Sequence, residues 1–255
     1  MVRRCYQGVG APSDAGEQKA LAALTWSGTE RVLDLGIGAG RTTALLSPQA
    51  FTYVGIDISP PMLARARRAH PVADLRLGDA RDLSQYADGT FDLVVFSFNG
   101  VDCLQHEERS AFFTGVHRVL APGGRLLVST LNLDGPCYRD PPAPLAARDW
   151  LRCPGASGKA KAAVYGTLRF GIGRAHLRRN AGKAAIGEDW AWAPLPAHQY
   201  RFLVHFIRFR AQVKLLLDCG FEVETAWTNS GEQLDPTADR HLDDYAHLLC
   251  RRVPV

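Results

Sequence analysis

Between Arg31 and Thr130 short apolar, β-rich runs alternate with stretches of helical spacing. Arg31–Leu35, Phe51–Asp57, Asp74–Leu77, Phe91–Ser97 and Arg125–Thr130 read as five strands. Helical patterns lie between them: Gly40–Leu46, a segment opened by Ser59 with Pro60 at its first turn, and His106–Leu120. In the last of these Phe112, Val116, Val119 and Leu120 share a face, and Pro122-Gly123-Gly124 closes it. Strands separated by helices form a parallel sheet with helices on both faces, and Phe91–Ser97 is nearly all apolar, as a doubly covered strand should be. From Leu131 to about His205 the regularity fails, and this stretch reads as a cap. A helical stripe of Phe209, Val213, Leu216 and Leu217 follows, stopped at Cys219-Gly220. Phe221–Trp227 and Asp244–Arg251 are then two strands with no helix between them, which predicts an antiparallel hairpin. The expected architecture is a single α/β domain over residues 1–255. Its doubly wound, mostly parallel seven-stranded sheet carries a C-terminal antiparallel hairpin and a cap insertion (131–205) after the fifth strand. An N-terminal arm and one helix (Ser13–Ala23) occupy residues 1–30.

Composition narrows the class. Hydrophobic residues make up 46% of the chain, enough for a sizeable core. No apolar run approaches the roughly 18–20 residues that cross a bilayer, and no apolar segment follows Arg3-Arg4, so neither a membrane span nor a secretory leader is expected. The six cysteines fall at no metal or redox spacing, which suits reduced thiols in the cytoplasm and predicts no bound metal. The net charge of +4 is uneven. Residues 139–183 hold ten Lys/Arg against two Asp, a net +8, so the remainder carries −4. Any anion-attracting field therefore belongs to the cap and not to the main domain.

The chemistry concentrates at strand ends. Gly36, Gly38 and Gly40 lie between a strand and a helix, where small residues permit a tight turn and close ligand approach beside a helix N-terminus. A dinucleotide fingerprint requires a small residue at position 41, and Arg41 stands there, which argues against a nicotinamide cofactor. Asp57 ends the next strand, where a carboxylate can accept from both hydroxyls of a ribose. Gly78-Asp79-Ala80 follows the third strand, and Ser97-Phe98-Asn99-Gly100-Val101-Asp102 follows the fourth.

These motifs, with Asp34-Leu35-Gly36, Phe91-Asp92-Leu93-Val94 and Arg118-Val119-Leu120-Ala121-Pro122-Gly123-Gly124, resemble the class I S-adenosylmethionine-dependent methyltransferases over about residues 20–130 and 206–251. The resemblance implies S-adenosylmethionine as cofactor. It places Asp34, Gly36, Gly38 and Gly40 at its methionine and ribose part, Asp57 on the ribose, Ile58 against the adenine, Asp79 and Ala80 at the adenine edge, and the Ser97 carbonyl near its amino group. Ile37 stands where the family often has Cys or Gly. Methyl transfer needs mainly alignment, with a base only where the acceptor enters protonated. Asn99, Asp102 and His106 are the expected acceptor-side catalytic residues, with Gly100 supplying an unusual backbone angle; the competing reading has Asn99 ending the strand and Asp102 capping the next helix. Tyr6, His198, Tyr200 and His205 are further polar candidates, and Phe170, Trp190, Trp192, Tyr200 and Phe202 a candidate aromatic wall. No Asn-Pro-Pro-Tyr motif follows the fourth strand, which favours a small-molecule acceptor, anionic or aromatic, for O- or N-methylation. The alternatives are a nucleic-acid methyltransferase using the basic cap and a Rossmann-type oxidoreductase.

Overall fold

The computed structural model describes residues 13–139 and 155–254. Tyr6, the N-terminal arm before Ser13 and the basic residues between 140 and 154 lie outside the described residues. Strands β1 (Arg31–Leu35), β2 (Thr52–Asp57), β3 (Asp74–Leu77), β4 (Phe91–Phe96) and β5 (Leu120–Asn132) pair in parallel in the order β3-β2-β1-β4-β5. Beyond β5 come β11 (Tyr245–Arg252), antiparallel to both neighbours, then β9 (Phe221–Thr228) and a short β10 (Gln233–Leu234). The hairpin thus closes the sheet at β5, and β3 to β9 make up seven principal strands.

Helices α1 (Ala15–Ala22), α2 (Thr43–Leu46), α3 (Pro60–Ala69) and α4 (His106–Val119) precede the cap, and a one-turn α5 (Pro136–Arg139) opens it. The apolar strand residues divide between the two faces of the sheet. Leu33, Leu35, Val94, Leu126 and Leu248 pack with Phe112, Phe113 and Val116 of α4 on one face. Val32, Leu93, Val95, Leu127 and Leu249 pack with Ala20, Leu46, Leu63 and Ala66 on the other. Because β1 leads outward to β2 and β3 while β4 leads to β5, the chain direction reverses between β1 and β4. A crevice opens there at the carboxyl ends of the strands.

The cap is more regular than its sequence suggests. It contains a long helix α6 (Gly155–Asn180) and strands β6 (Ala185–Ile186), β7 (Trp190–Pro194) and β8 (Leu203–Ile207). β8 lies parallel beside the end of β5, with Leu131 opposite Phe206 and Asn132 opposite Ile207, and β7 pairs antiparallel to β8. The sheet therefore has eleven strands, and the helix expected to open at Phe206 begins instead as α7 (Phe209–Asp218). A five-residue apolar run such as Leu203–Ile207 has no period that separates a buried strand from a helical turn. Among the described residues no helix is long and apolar enough to cross a membrane.

Candidate active site

The glycine loop turns directly over the crevice. Gly36, Gly38 and Gly40 all adopt positive φ (64°, 58° and 93°), the left-handed region that a side chain disfavours. Asp34, expected at the cofactor, is instead buried beneath the loop. Its Oδ2 accepts from the Thr42 hydroxyl (2.6 Å) and the Tyr53 hydroxyl (2.6 Å), so it braces the loop against β2. Burial pushes the Asp34 carboxyl up to about 6, against those two hydrogen bonds.

Asp57 holds the loop from the adjacent strand end. Its Oδ2 accepts the Gly38 N–H and its Oδ1 the Ser59 N–H, both at 2.8 Å. A carboxylate has about four acceptor positions, so both oxygens keep a lone pair for a diol. Ile58 beside it is 63% exposed, an apolar platform at the mouth of the crevice. Asp79 is half-buried and paired with Arg81 (2.6 Å), which also reaches Glu108 of α4 (2.7 Å). That guanidinium holds the Asp79 carboxyl below its usual range and ties the β3 end to the start of α4.

On the other side of the loop lies a group that the sequence motifs do not announce. Asp14 caps α1 by accepting the Glu17 N–H (2.9 Å), and it also accepts from the Tyr245 hydroxyl (2.9 Å) while lying 3.0 Å from His247 Nε2. This docking delivers Glu17, fully buried, to the loop. Both Glu17 oxygens accept from the Arg41 guanidinium, and the Ser97 hydroxyl donates to Glu17 Oε1. Arg41 lies 4.8 Å above the Phe98 ring. A carboxylate, a guanidinium and a hydroxyl converge where the resemblance puts the methionine end of the cofactor. Glu17 is fully buried and bonded to the other two, so it positions them. The partly exposed Arg41 guanidinium is the group complementary to a carboxylate, and to that extent the residues present fit the cofactor's amino-acid end.

The loop after β4 is unusually constrained. Phe98 and Asn99 are both left-handed (φ 54° and 62°), a conformation that costs free energy in non-glycine residues and recurs at functional sites. The expected angle at Gly100 is thus carried by its predecessors. Gly100 is needed for another reason: a Cβ there would sit 2.2 Å from the Phe96 ring, which also abuts Gly36. The Asn99 N–H donates to Ser129 Oγ (2.7 Å), and its buried Oδ1 has no partner among the described residues.

Asp102 corrects both sequence readings. It is fully buried, accepts from the Thr130 hydroxyl (2.6 Å) and the Leu131 N–H (2.7 Å), and pairs with the equally buried Arg109 (3.1 Å). It cannot touch an acceptor there, and the cap of α4 is Gln105, in a capping box with Glu108. Burial pushes the Asp102 carboxyl up to about 6 and the Arg109 guanidinium down. His106 is half-buried and stacks flat on Trp190, with ring centroids 4.1 Å apart. His205 lies beside both, whereas Tyr200 and His198 belong to the turn that receives the end of α6.

Residues 32–124 match the family described as methyltransferase domain. Over these residues the chain is similar to a methyltransferase domain. A demethylmenaquinone methyltransferase of Beutenbergia cavernae is 39% identical over 104 residues, covering 40% of this chain and 41% of the relative. An 18S rRNA (guanine-N(7))-methyltransferase of Bos taurus is 34% identical over 106 residues, 38% of this chain and 37% of its own length. A solved S-adenosylmethionine-dependent methyltransferase from Mesorhizobium loti superposes with a TM-score of 0.58 at 22% identity, covering 96% of this chain and all of that one, which shows a shared fold. The chain spans between 41% and 50% of the first curated relatives. The family match lies over the glycine-loop part of the chain, and the two relatives named here bear different acceptors in their names.

Proposed function

We propose that the chain transfers a methyl group from S-adenosylmethionine to a small-molecule acceptor, O- or N-methylating it. The observation that carries this reading is the meeting, at one crevice, of the glycine loop and Asp57 with Glu17, Arg41 and Ser97. These groups match a ribose and an amino-acid end. When bound, the cofactor supplies a methyl group on a sulfonium. The protein's part is to hold the ribose at Asp57, seat the adenine on Ile58 beside Asp79 and Ala80, and orient the amino-acid end against Arg41, which Glu17 holds in place. Alignment of this kind can account for roughly 7–11 kcal/mol of a barrier. The acceptor side is bounded by the strained Phe98–Asn99 turn, His106 and the β7–β8 hairpin of the cap, with Trp190 as an aromatic wall.

An RNA acceptor is the second reading, because Arg178, Arg179 and Lys183 at the end of α6 have no carboxylate partner among the described residues. Transfer of labelled methyl groups to a panel of phenols, amines, carboxylic acids and bulk RNA distinguishes the two. The expected product is a methylated small molecule, and RNA binding should show a shallow dependence on salt. A labelled RNA product with a steep salt slope, the mark of several phosphate contacts, would replace the small-molecule reading.

A further inference from the structure

The cap helix α6 has more surface than packing. Along its described part, Gly173, His176, Leu177 and Asn180 make the face turned to the protein. His176 Nδ1 lies 2.8 Å from the Gln199 carbonyl oxygen, and the Asn180 amide donates to the Tyr200 carbonyl (2.8 Å). A Cβ on Gly173 would come within 3.3 Å of the Tyr200 ring, so the turn at Tyr200 packs closely on this face. Leu168, Ile172, Ala175 and Arg179 recur at the three- and four-residue spacing of a second helical face, about 120° around the axis from the first. All four are exposed, Leu168 at 59% and Ile172 at 40%. Two aliphatic side chains, one turn apart, thus stand in water with nothing packed on them.

The charge of this part of the cap has one sign. Residues 155–183 contain seven Lys/Arg and no Asp or Glu. Arg174 and Arg178 are exposed beside the aliphatic stripe, and Arg179 lies within it. At the end of α6 the Asn180 amide also reaches the Arg201 carbonyl (3.3 Å). That bond brings a further exposed ring, Phe202, alongside the helix end, with the Arg201 guanidinium 5.5 Å above it. Apolar side chains and guanidinium groups therefore alternate over the same outer surface.

We propose that this face of the cap docks on an anionic lipid surface. Aliphatic side chains enter the boundary between headgroups and acyl chains, while guanidinium groups meet the headgroup phosphates. The aliphatic stripe selects this occupant over others that share the charge. A polynucleotide would satisfy the arginines and leave Leu168 and Ile172 in water. A second copy docked about a two-fold axis would set Arg179 and its neighbours against the same cations of the other chain. A lipid surface answers both parts of the face. No helix among the described residues is long and apolar enough to cross a membrane, so the contact lies in the interface. Docking of this kind is independent of the methyl-transfer reading, because none of these residues touches the crevice groups Asp57, Glu17 or Arg41.

The test is co-sedimentation of the full chain with vesicles of phosphatidylcholine alone and with a quarter of phosphatidylglycerol. Binding is expected to the anionic vesicles only, and it should weaken as salt rises. Arg178→Gln with Arg179→Gln should weaken it about 25-fold, since each basic residue near such a surface contributes a factor of about five. Leu168→Gln with Ile172→Gln, which changes no charge, should weaken it about tenfold. Hydrogen exchange of the wild-type chain gives a second reading that needs no variant. Anionic vesicles should slow exchange over residues 167–183 and 200–203, and protection confined to other parts of the chain overturns the proposal. Absence of binding to the anionic vesicles also overturns it. Binding that the Leu168→Gln, Ile172→Gln variant leaves unchanged would assign the face to polyanions such as RNA. A dimer in analytical ultracentrifugation that the same two substitutions dissolve would assign it to a second copy, and either result replaces the lipid surface.

Discussion

Asp34 and Asp57 show how the same residue type, on two adjacent strands of one sheet, comes to do different work. Both stand in motifs that were legible because their parts are close in sequence. What the motif could not give is which carboxylate faces outward. Asp34 is sealed under the loop by Thr42 and Tyr53, and its folded carboxyl titrates near 6 against an ordinary 3.8. A raised acid binds its proton more tightly in the folded state, so its contribution is most favourable below about pH 4 and is lost as pH rises to about 6. The difference should be at most about 3 kcal/mol. Thermal unfolding of wild type and Asp34→Asn between pH 4 and 7 should therefore show the variant gaining relative stability as pH rises. A pH-independent difference would mean that Asp34 is not held protonated by burial. Asp57→Ala removes the acceptor of the Gly38 and Ser59 N–H groups as well as that of the ribose. S-adenosylhomocysteine affinity should fall by about 1.5–3 kcal/mol in calorimetry, and unchanged affinity would leave Asp57 as a turn residue alone. Glu17 was invisible in the sequence, because its partners Arg41 and Ser97 are 24 and 80 positions away.

At the scale of elements, α1 is the piece whose position matters most, and one glycine tests it. A Cβ on Gly16 would lie 2.0 Å from the Thr228 carbonyl oxygen of β9, so this glycine is required by close contact with backbone. Alanine is intrinsically about 1 kcal/mol better than glycine in a helix interior. Gly16→Ala should nevertheless destabilise the protein, expose α1 to hydrogen exchange and weaken cofactor binding through Glu17. Increased stability with unchanged exchange over residues 15–22 would show that α1 is not docked as described. The parallel strands, α4 and the closing hairpin were readable because each is a run with one clear period bounded by Gly or Pro. β7 and β8 were not, since Trp190–Pro194 ends on a proline and Leu203–Ile207 is too short to show a period. That miss hid the His106–His205 contact, which exists only because β8 joins the sheet beside β5.

For the whole molecule, the strand order decides where chemistry is possible. The reversal between β1 and β4 gathers at one edge the glycine loop, the β4 turn and the start of α4, and the cap strand β8 joins the sheet beside β5. The order of βα units made that edge predictable, whereas the proposed acceptor side involves the segment whose sequence carries the least regular pattern. The basic surplus of residues 139–183 belongs to that same segment in sequence. The central claim is that this crevice holds a ribose and an amino-acid end rather than a dinucleotide. Titration calorimetry of the full chain with S-adenosylhomocysteine and, separately, with NADH and NADPH tests it most directly. The account predicts saturable binding of S-adenosylhomocysteine at about one molecule per chain, and no heat with either nicotinamide cofactor. Binding of NADH or NADPH with none of S-adenosylhomocysteine would contradict it.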